Sequence, residues 1–153
     1  QYSTQNVSGS CIFALEALLQ LSLGTEVSSE LVATILANGG GYDIEEHLFV
    51  DEVITHVPRY AALHMLDQKL VDSYEEVAAL LLEADAKDVG ARAGSYSLQS
   101  ATVVLCGPEC FVTVLVGDRF VIFDSHRRHD MTGAAFVLID SKEALLTYFA
   151  HSF

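Results

Sequence analysis

The feature that most constrains the fold is a change of hydrophobic pattern near Gly90. Before that position apolar residues recur at helical spacing, whereas after it short runs of β-branched and aromatic residues alternate with turn residues. Strands are predicted at 102–105, 111–116, 119–123 and 135–139, with a two-residue hairpin turn at 117–118. A closing helix then extends to about residue 149. Helices followed by an antiparallel meander are typical of α+β proteins. The sequence therefore predicts an α+β fold, with N-terminal helices packed on a C-terminal antiparallel sheet.

Capping residues and glycines define the predicted helices of the first part. The first helix is expected over 10–21, with Gly24 at its end. The second is expected from Ser28 or Ser29, either of which can cap it, to residue 36 or 37, with a run of glycines after it. The spacing over 42–56 fits a helix only in part. A capping-box sequence at 73–76 begins a further helix, because serine and glutamate at that spacing satisfy the first backbone N–H groups.

Length and composition indicate one domain over residues 1–153. The chain is 51% hydrophobic, which suits a packed core and excludes a disordered chain. No apolar run approaches the roughly 18 residues of a membrane span, and no signal peptide is recognisable. Three cysteines, an odd number, fit a reducing compartment. We therefore expect a cytoplasmic domain, and because Gln1 is not an initiator methionine we expect it to belong to a longer protein.

The charge balance limits the partners that the chain can attract. Eight basic and 21 acidic side chains give a net charge of −13. Such a charge repels nucleic acid and anionic membranes, whereas it attracts a basic protein surface. The sequence therefore predicts a protein partner rather than nucleic acid or a membrane. The alternative is that the acidity only keeps the domain soluble.

Two segments carry candidate catalytic chemistry. Asp124 and His126 follow a run of strand-forming residues, and side chains two residues apart on a strand share one face. A carboxylate beside an imidazole holds one ring nitrogen and leaves the other as a base. Cys11 is expected in the first turn of the first helix, where the helix dipole favours the thiolate. Gln5, six residues earlier, is placed to donate a hydrogen bond to an oxyanion.

The same segments resemble known cysteine proteases. Gln-x-x-x-Gly-Ser-Cys at the head of a buried helix resembles the papain-fold peptidases. The second half of the chain resembles the herpesvirus tegument deubiquitinases and related tegument-like enzymes, in the segments 101–106, 111–116, 120–128, 133–137 and 141–149. This resemblance implies a papain-like fold in which Cys11 is the nucleophile, His126 the base and Asp124 the orienting carboxylate.

The resemblance also implies a substrate and a location. The substrate would be ubiquitin or polyubiquitin, cleaved after its C-terminal glycine without a cofactor, in the cytosol of a host cell if the protein is a viral or bacterial effector. Tegument enzymes place the oxyanion glutamine further from the cysteine than Gln5 is from Cys11. Asn6 is the alternative donor, because ubiquitin-specific proteases use an asparagine at about that position.

Other interpretations compete with this hypothesis. The domain could be a peptidase or acyltransferase of the same fold that acts on a ubiquitin-like modifier or another protein, or a non-catalytic ubiquitin-binding module. A cysteine beside Ile12 and Phe13 is often a small core residue. Cys106 and Cys110 have the spacing of half a zinc site, but no second pair accompanies them. A turn between two strands, with one cysteine facing the core, is the better interpretation.

Overall fold

A computed structural model describes residues 7–42, 49–88, 101–106, 109–116, 119–126 and 133–152. The helices in these ranges are α1 (Val7–Ser22), α2 (Ser29–Gly39), α3 (Val50–His56), α4 (Tyr74–Asp88) and α5 (Lys142–Ser152), with a 3₁₀ turn at Pro58–Tyr60. The strands are β1 (Ala101–Cys106), β2 (Glu109–Val116), β3 (Arg119–Asp124) and β4 (Ala135–Ile139). The predicted strands and the closing helix are all present.

The strands form one antiparallel sheet in the order β1-β2-β3-β4. In its register Val112 pairs with Phe123 and Phe111 pairs with Asp124, so the start of β2 lies beside the end of β3. The predicted hairpin turn at 117–118 lies outside the described residues. Helices followed by an antiparallel meander confirm the predicted α+β class.

The sheet is covered on both faces. Val112 and Phe123 belong to a core that includes α1, α2 and α3. Their neighbours Phe111 and Ile122 point the other way, into a second core with Phe149 of α5 and part of α4. Because both faces are buried, β2 and β3 are almost continuously apolar rather than alternating. The first helices lie on one side of the sheet and the last two on the other.

Serine caps begin three of the described helices, and in α5 Ser141 Oγ accepts the backbone N–H of Ala144 at 3.1 Å. Ser28 Oγ accepts the backbone N–H of Leu31 at 3.1 Å at the start of α2, and Ser73 Oγ accepts that of Glu76 at 3.2 Å at the start of α4. Each cap satisfies a backbone donor that lacks a partner within its helix. The sequence left Ser28 and Ser29 open as the first cap, and the structure selects Ser28.

Glycines determine how α1 and α2 meet. Gly24, just after α1, has a φ of +79°, a conformation that other residues adopt only with strain. Gly39, at the end of α2, lies so close to α1 that an added Cβ would stand 2.5 Å from the ring of Phe13. A side chain at Gly39 would therefore disturb the packing of this helix pair, whereas one at Gly24 would strain the backbone.

A buried carboxylate joins three elements on the α1 side. Glu16 of α1 has no exposed surface, yet Arg59 donates two hydrogen bonds to it, each 2.7 Å long. Asn38 of α2 donates a third at 2.9 Å, Gln20 a fourth at 3.0 Å, and the Tyr60 hydroxyl lies 3.3 Å away. No local pattern in the sequence predicts this network, which fixes α1 against α2 and the 3₁₀ turn.

This network makes part of the stability depend on pH. Burial alone would raise the pKa of Glu16, but the hydrogen bonds from Arg59, Gln20 and Asn38 outweigh it and lower the pKa from 4.5 to about 2. Between those values the unfolded chain binds a proton that the folded chain does not. The contribution of Glu16 is therefore complete above about pH 4.5 and is lost as the pH falls toward 2.

We expect Glu16→Gln to remove this pH dependence. The shift corresponds to at most about 3 kcal/mol, reduced by solvent screening because Arg59 is 37% exposed. Urea denaturation of wild type and Glu16→Gln from pH 7 to pH 2 measures the difference in unfolding free energy. That difference should shrink below pH 4.5, and a difference that stayed constant with pH would contradict the assignment.

Candidate active site

The predicted base and its carboxylate lie side by side where β3 ends. Asp124 is the last residue of β3 and is fully buried, and the side chain of His126 is 14% exposed. Asp124 Oδ1 lies 2.7 Å from His126 Nδ1. An ionised carboxylate only accepts hydrogen bonds, so Nδ1 carries the proton and Nε2 remains available as a base. The predicted contact between these two side chains is confirmed.

The contact arises from a turn and not from strand alternation. β3 ends at Asp124, and His126 lies in the bend that follows. Asp124 Oδ1 also accepts the backbone N–H of His126, at 2.9 Å. A side-chain carboxylate that accepts the N–H two residues ahead forms an Asx turn. The backbone therefore holds His126 beside the carboxylate, and the strand geometry predicted for the pair is wrong in this respect.

A third residue, not predicted from the sequence, also supports Asp124. The hydroxyl of Tyr148, in α5, donates to Asp124 Oδ2 at 2.8 Å. Both carboxylate oxygens are therefore hydrogen-bonded, one to the imidazole and one to the phenol. The only signal in the sequence was a tyrosine next to the core residue Phe149 in the closing helix, which does not reveal its partner.

Cys11 lies deeper in the fold and further along its helix than predicted. α1 begins at Val7, so Cys11 is its fifth residue and not part of the first turn. The helix dipole acts mainly within that first turn, so it favours the thiolate less than the sequence suggested. Cys11 also has no exposed surface and belongs to the core between α1 and the sheet. Its placement in the first turn is thus wrong.

The thiol of Cys110, in β2, lowers the pKa of Cys11, which is the effect that the sequence predicted for the helix terminus. A hydrogen bond from Cys110 lowers the pKa of Cys11, although burial opposes the change. The same hydrogen bond, with burial and the charges of Cys11 and Asp124, raises the pKa of Cys110. Of these two thiols, Cys11 therefore has the lower pKa. We call these two residues the thiol pair.

The thiol pair and the Asp124–His126 pair gather at one end of the sheet. Cys110 immediately precedes Phe111, and Phe111 pairs with Asp124 across β2 and β3. Within the part of the chain that the structure describes, no hydrogen bond joins Cys11 directly to His126. Catalytic hydrogen bonds are often long in proteins without substrate. Gln5 and Asn6, the candidate oxyanion donors, lie outside the described residues.

The remaining cysteine lies on the opposite face of the sheet. Cys106 Sγ is 3.6 Å from the hydroxyl of Tyr74 in α4, whereas Cys110 packs against α1. The two cysteines therefore do not converge on one site, in agreement with the turn interpretation of this segment. In the described ranges, no group of three or more His, Cys, Asp or Glu side chains is arranged to hold a metal ion.

Comparison with known proteins identifies no relative of this chain. No family model matches it, no curated protein matches its sequence, and no solved structure matches its fold. Any functional assignment therefore depends on the motif residues and on the geometry described above. In the part of the chain that can be described, no helix is both long enough and apolar enough to cross a membrane.

Proposed function

We propose that the chain is a cysteine-type deubiquitinase of papain-like arrangement. Cys11 is the nucleophile, His126 the general base and acid, and Asp124 the residue that orients the imidazole. The hydrogen bond between Asp124 Oδ1 and His126 Nδ1 carries the proposal, because it leaves Nε2 free for proton transfer. The motif resemblance to tegument deubiquitinases supports ubiquitin as the substrate.

The proposed reaction has two steps. His126 Nε2 takes the proton of the Cys11 thiol, the thiolate attacks the carbonyl carbon of the C-terminal glycine of ubiquitin, and the C–N bond breaks as His126 passes that proton to the departing lysine amine. His126 then deprotonates a water molecule, which hydrolyses the thioester and releases ubiquitin. A backbone N–H near Cys11, with Gln5 or Asn6, stabilises the oxyanion in both steps.

Exposed apolar side chains support a protein partner. Met65, Leu66 and Leu70, between the 3₁₀ turn and α4, are 46%, 87% and 97% exposed. Asp67 and Lys69, which are 4.0 Å apart, lie among them, and the chain as a whole carries a net charge of −13. A partner with an apolar patch and a basic rim fits such a surface, and ubiquitin presents that combination.

One observation favours a second candidate, a ubiquitin-binding module without catalysis. Cys11 is fully buried and is not hydrogen-bonded to His126 in the described residues. A cysteine in that position can be a core residue only. This candidate predicts that the protein binds ubiquitin but does not react with an electrophile at Cys11.

Ubiquitin with a C-terminal electrophile separates the two candidates. We expect wild type to form a one-to-one covalent adduct whose modified peptide contains Cys11. Cys11→Ala should form none, whereas Cys106→Ala, a control on the other face of the sheet, should be labelled like wild type. Adduct formation by Cys11→Ala would refute Cys11 as the nucleophile. Binding of ubiquitin without any adduct would favour the binding module, and parallel probes made from ubiquitin-like modifiers test the choice of substrate.

A further inference from the structure

A groove lies between the start of α4 and β1, at the edge of the sheet. Its volume is about 390 Å³, and its walls include residues 71–75, residues 104–106, and the rings of Phe111 and Phe149. We call it the β1 groove. It lies on the face of the sheet that α4 and α5 cover, whereas Cys11 packs against the other face. The groove is therefore separate from the proposed nucleophile.

The groove follows the backbone of β1. Val104 packs into the core beneath α4 and α5, and Cys106 Sγ lies 3.6 Å from the hydroxyl of Tyr74 in α4. Leu105, between them, therefore faces the other way, and it is 42% exposed. These three consecutive residues all line the groove although their side chains alternate between the faces. The groove therefore contacts the backbone of the strand as well as its side chains.

The backbone of β1 is paired along one edge. β1 is the first strand in the order β1-β2-β3-β4, and β2 pairs with it along all six of its residues. Among the residues that the structure describes, none makes a hydrogen bond to its other edge. An edge of this kind presents a row of N–H and C=O groups to which an extended chain can add as a further strand. The groove therefore offers backbone partners to an extended peptide.

The rim of the groove is acidic. Asp72 and Glu75 line it and are exposed, and in the described ranges neither is paired with a lysine or an arginine. The start of α4 does not favour an anion there, because Ser73 caps the N–H of Glu76 and Glu76 accepts the N–H of Asp72 at 2.9 Å. Carboxylates at the rim of an apolar groove instead attract lysine or arginine.

We propose that the β1 groove binds an extended segment of a partner protein that carries both apolar side chains and lysine or arginine. The segment pairs its backbone with the outer edge of β1, packs apolar side chains against walls such as Val71 and Val77, and directs its cationic groups toward Asp72 and Glu75. A second copy of this chain fits the groove less well, because two chains of net charge −13 repel each other. The binding does not depend on the proposed catalysis.

Fluorescence anisotropy with a labelled synthetic peptide tests this inference on the whole chain. The peptide Val-Val-Lys-Lys-Val-Val, capped at both ends, has the length of β1 and presents valine and lysine on each of its faces. We expect saturable one-to-one binding. Of two versions that are N-methylated at the odd or at the even positions, one lacks the donors that face β1 and should bind at least about tenfold more weakly. Absence of saturable binding, or equal affinity of all three peptides, would overturn the inference.

A pair of double variants tests the acidic rim. Asp72→Asn with Glu75→Gln should weaken binding of the lysine peptide about three- to tenfold. The control is Glu26→Gln with Glu30→Gln, which changes the net charge equally at two exposed positions near the start of α2, on the other side of the sheet. It should weaken binding less than about twofold. Equal losses would show that only the net charge attracts the peptide, and would overturn the groove as the site. Circular dichroism verifies that both variants are folded.

Hydrogen exchange locates the bound peptide. β1 and β4 are the two outer strands of the sheet, but only β1 lines the groove. The peptide should therefore slow amide exchange in residues 101–106 and leave residues 135–139 unchanged. Protection of 135–139 to the same or a greater extent would overturn the inference. Sedimentation without peptide should show a monomer, and a dimer in which 101–106 is already protected would overturn it in favour of a second copy as the occupant.

Discussion

His126→Ala is expected to lower kcat for hydrolysis of a ubiquitin substrate by about 10³-fold or more, because it removes the only proposed proton-transfer group. Asp124→Asn keeps the shape of the side chain but loses the charge that stabilises the imidazolium. A thiolate paired with an imidazolium depends on that charge less than a serine nucleophile does, so we expect a smaller loss, about 10- to 10³-fold. Steady-state kinetics on wild type, His126→Ala and Asp124→Asn measures which variant loses more kcat.

Tyr148→Phe is the matched control for this series. It removes the hydrogen bond to Asp124 Oδ2 and leaves the ring, the Asp124 charge and the contact with His126 in place. Its loss in kcat should be the smallest of the three, about tenfold or less. Asp124→Asn with a larger loss than His126→Ala, at equal folded fractions by denaturation, would remove Asp124 from the proposed catalytic group.

Arg59→Ala is expected to lower the free energy of unfolding by about 3–5 kcal/mol, because it leaves the carboxylate of Glu16 buried without its charged partner. Glu16→Gln should cost less, about 1–3 kcal/mol, since Arg59 is 37% exposed and can turn toward water. Arg59→Lys should fall between them, because lysine cannot donate two parallel hydrogen bonds to one carboxylate. Chemical denaturation at pH 7 measures all three.

A double-mutant cycle tests whether this effect belongs to the pair. Glu16→Gln with Arg59→Ala should cost clearly less than the sum of the single changes, because the second change removes a group that has already lost its partner. Additive costs, or a cost below about 1 kcal/mol for Arg59→Ala, would contradict a structural role for the ion pair. Since Glu16 and Cys11 share α1, the same variants show whether the proposed nucleophile depends on this support.

The secondary structure could be predicted well because its signals are local. The β-branched and aromatic runs that form β1 to β4 and the serines that cap α2 and α4 act over a few residues. The boundary of α1 was less predictable, because the serines and glycine before Cys11 resemble a turn and yet lie within the helix from Val7. Packing of a helix against a sheet outweighs such weak propensities.

The candidate site also contains both local contacts, which the sequence predicts, and long-range contacts, which it does not. Asp124 and His126 are two residues apart, so the sequence alone determined that they meet, although a turn and not a strand face joins them. The contact between Tyr148 and Asp124 instead joins residues that are 24 positions apart in the sequence. The structural contact between Arg59 and Glu16, outside this site, joins residues that are 43 positions apart.

The sequence by itself determined the α+β class, the order of the strands' hydrophobic segments and the Asp124–His126 contact. The tertiary structure alone decided that Cys110 and Cys11 lie in one core, that Tyr148 supports Asp124 and that Arg59 neutralises Glu16. The physical reason is that hydrophobic periodicity specifies which face of an element is buried. The residues that meet across two buried faces depend on the register of the sheet and on the position of each helix over it, which no local pattern encodes.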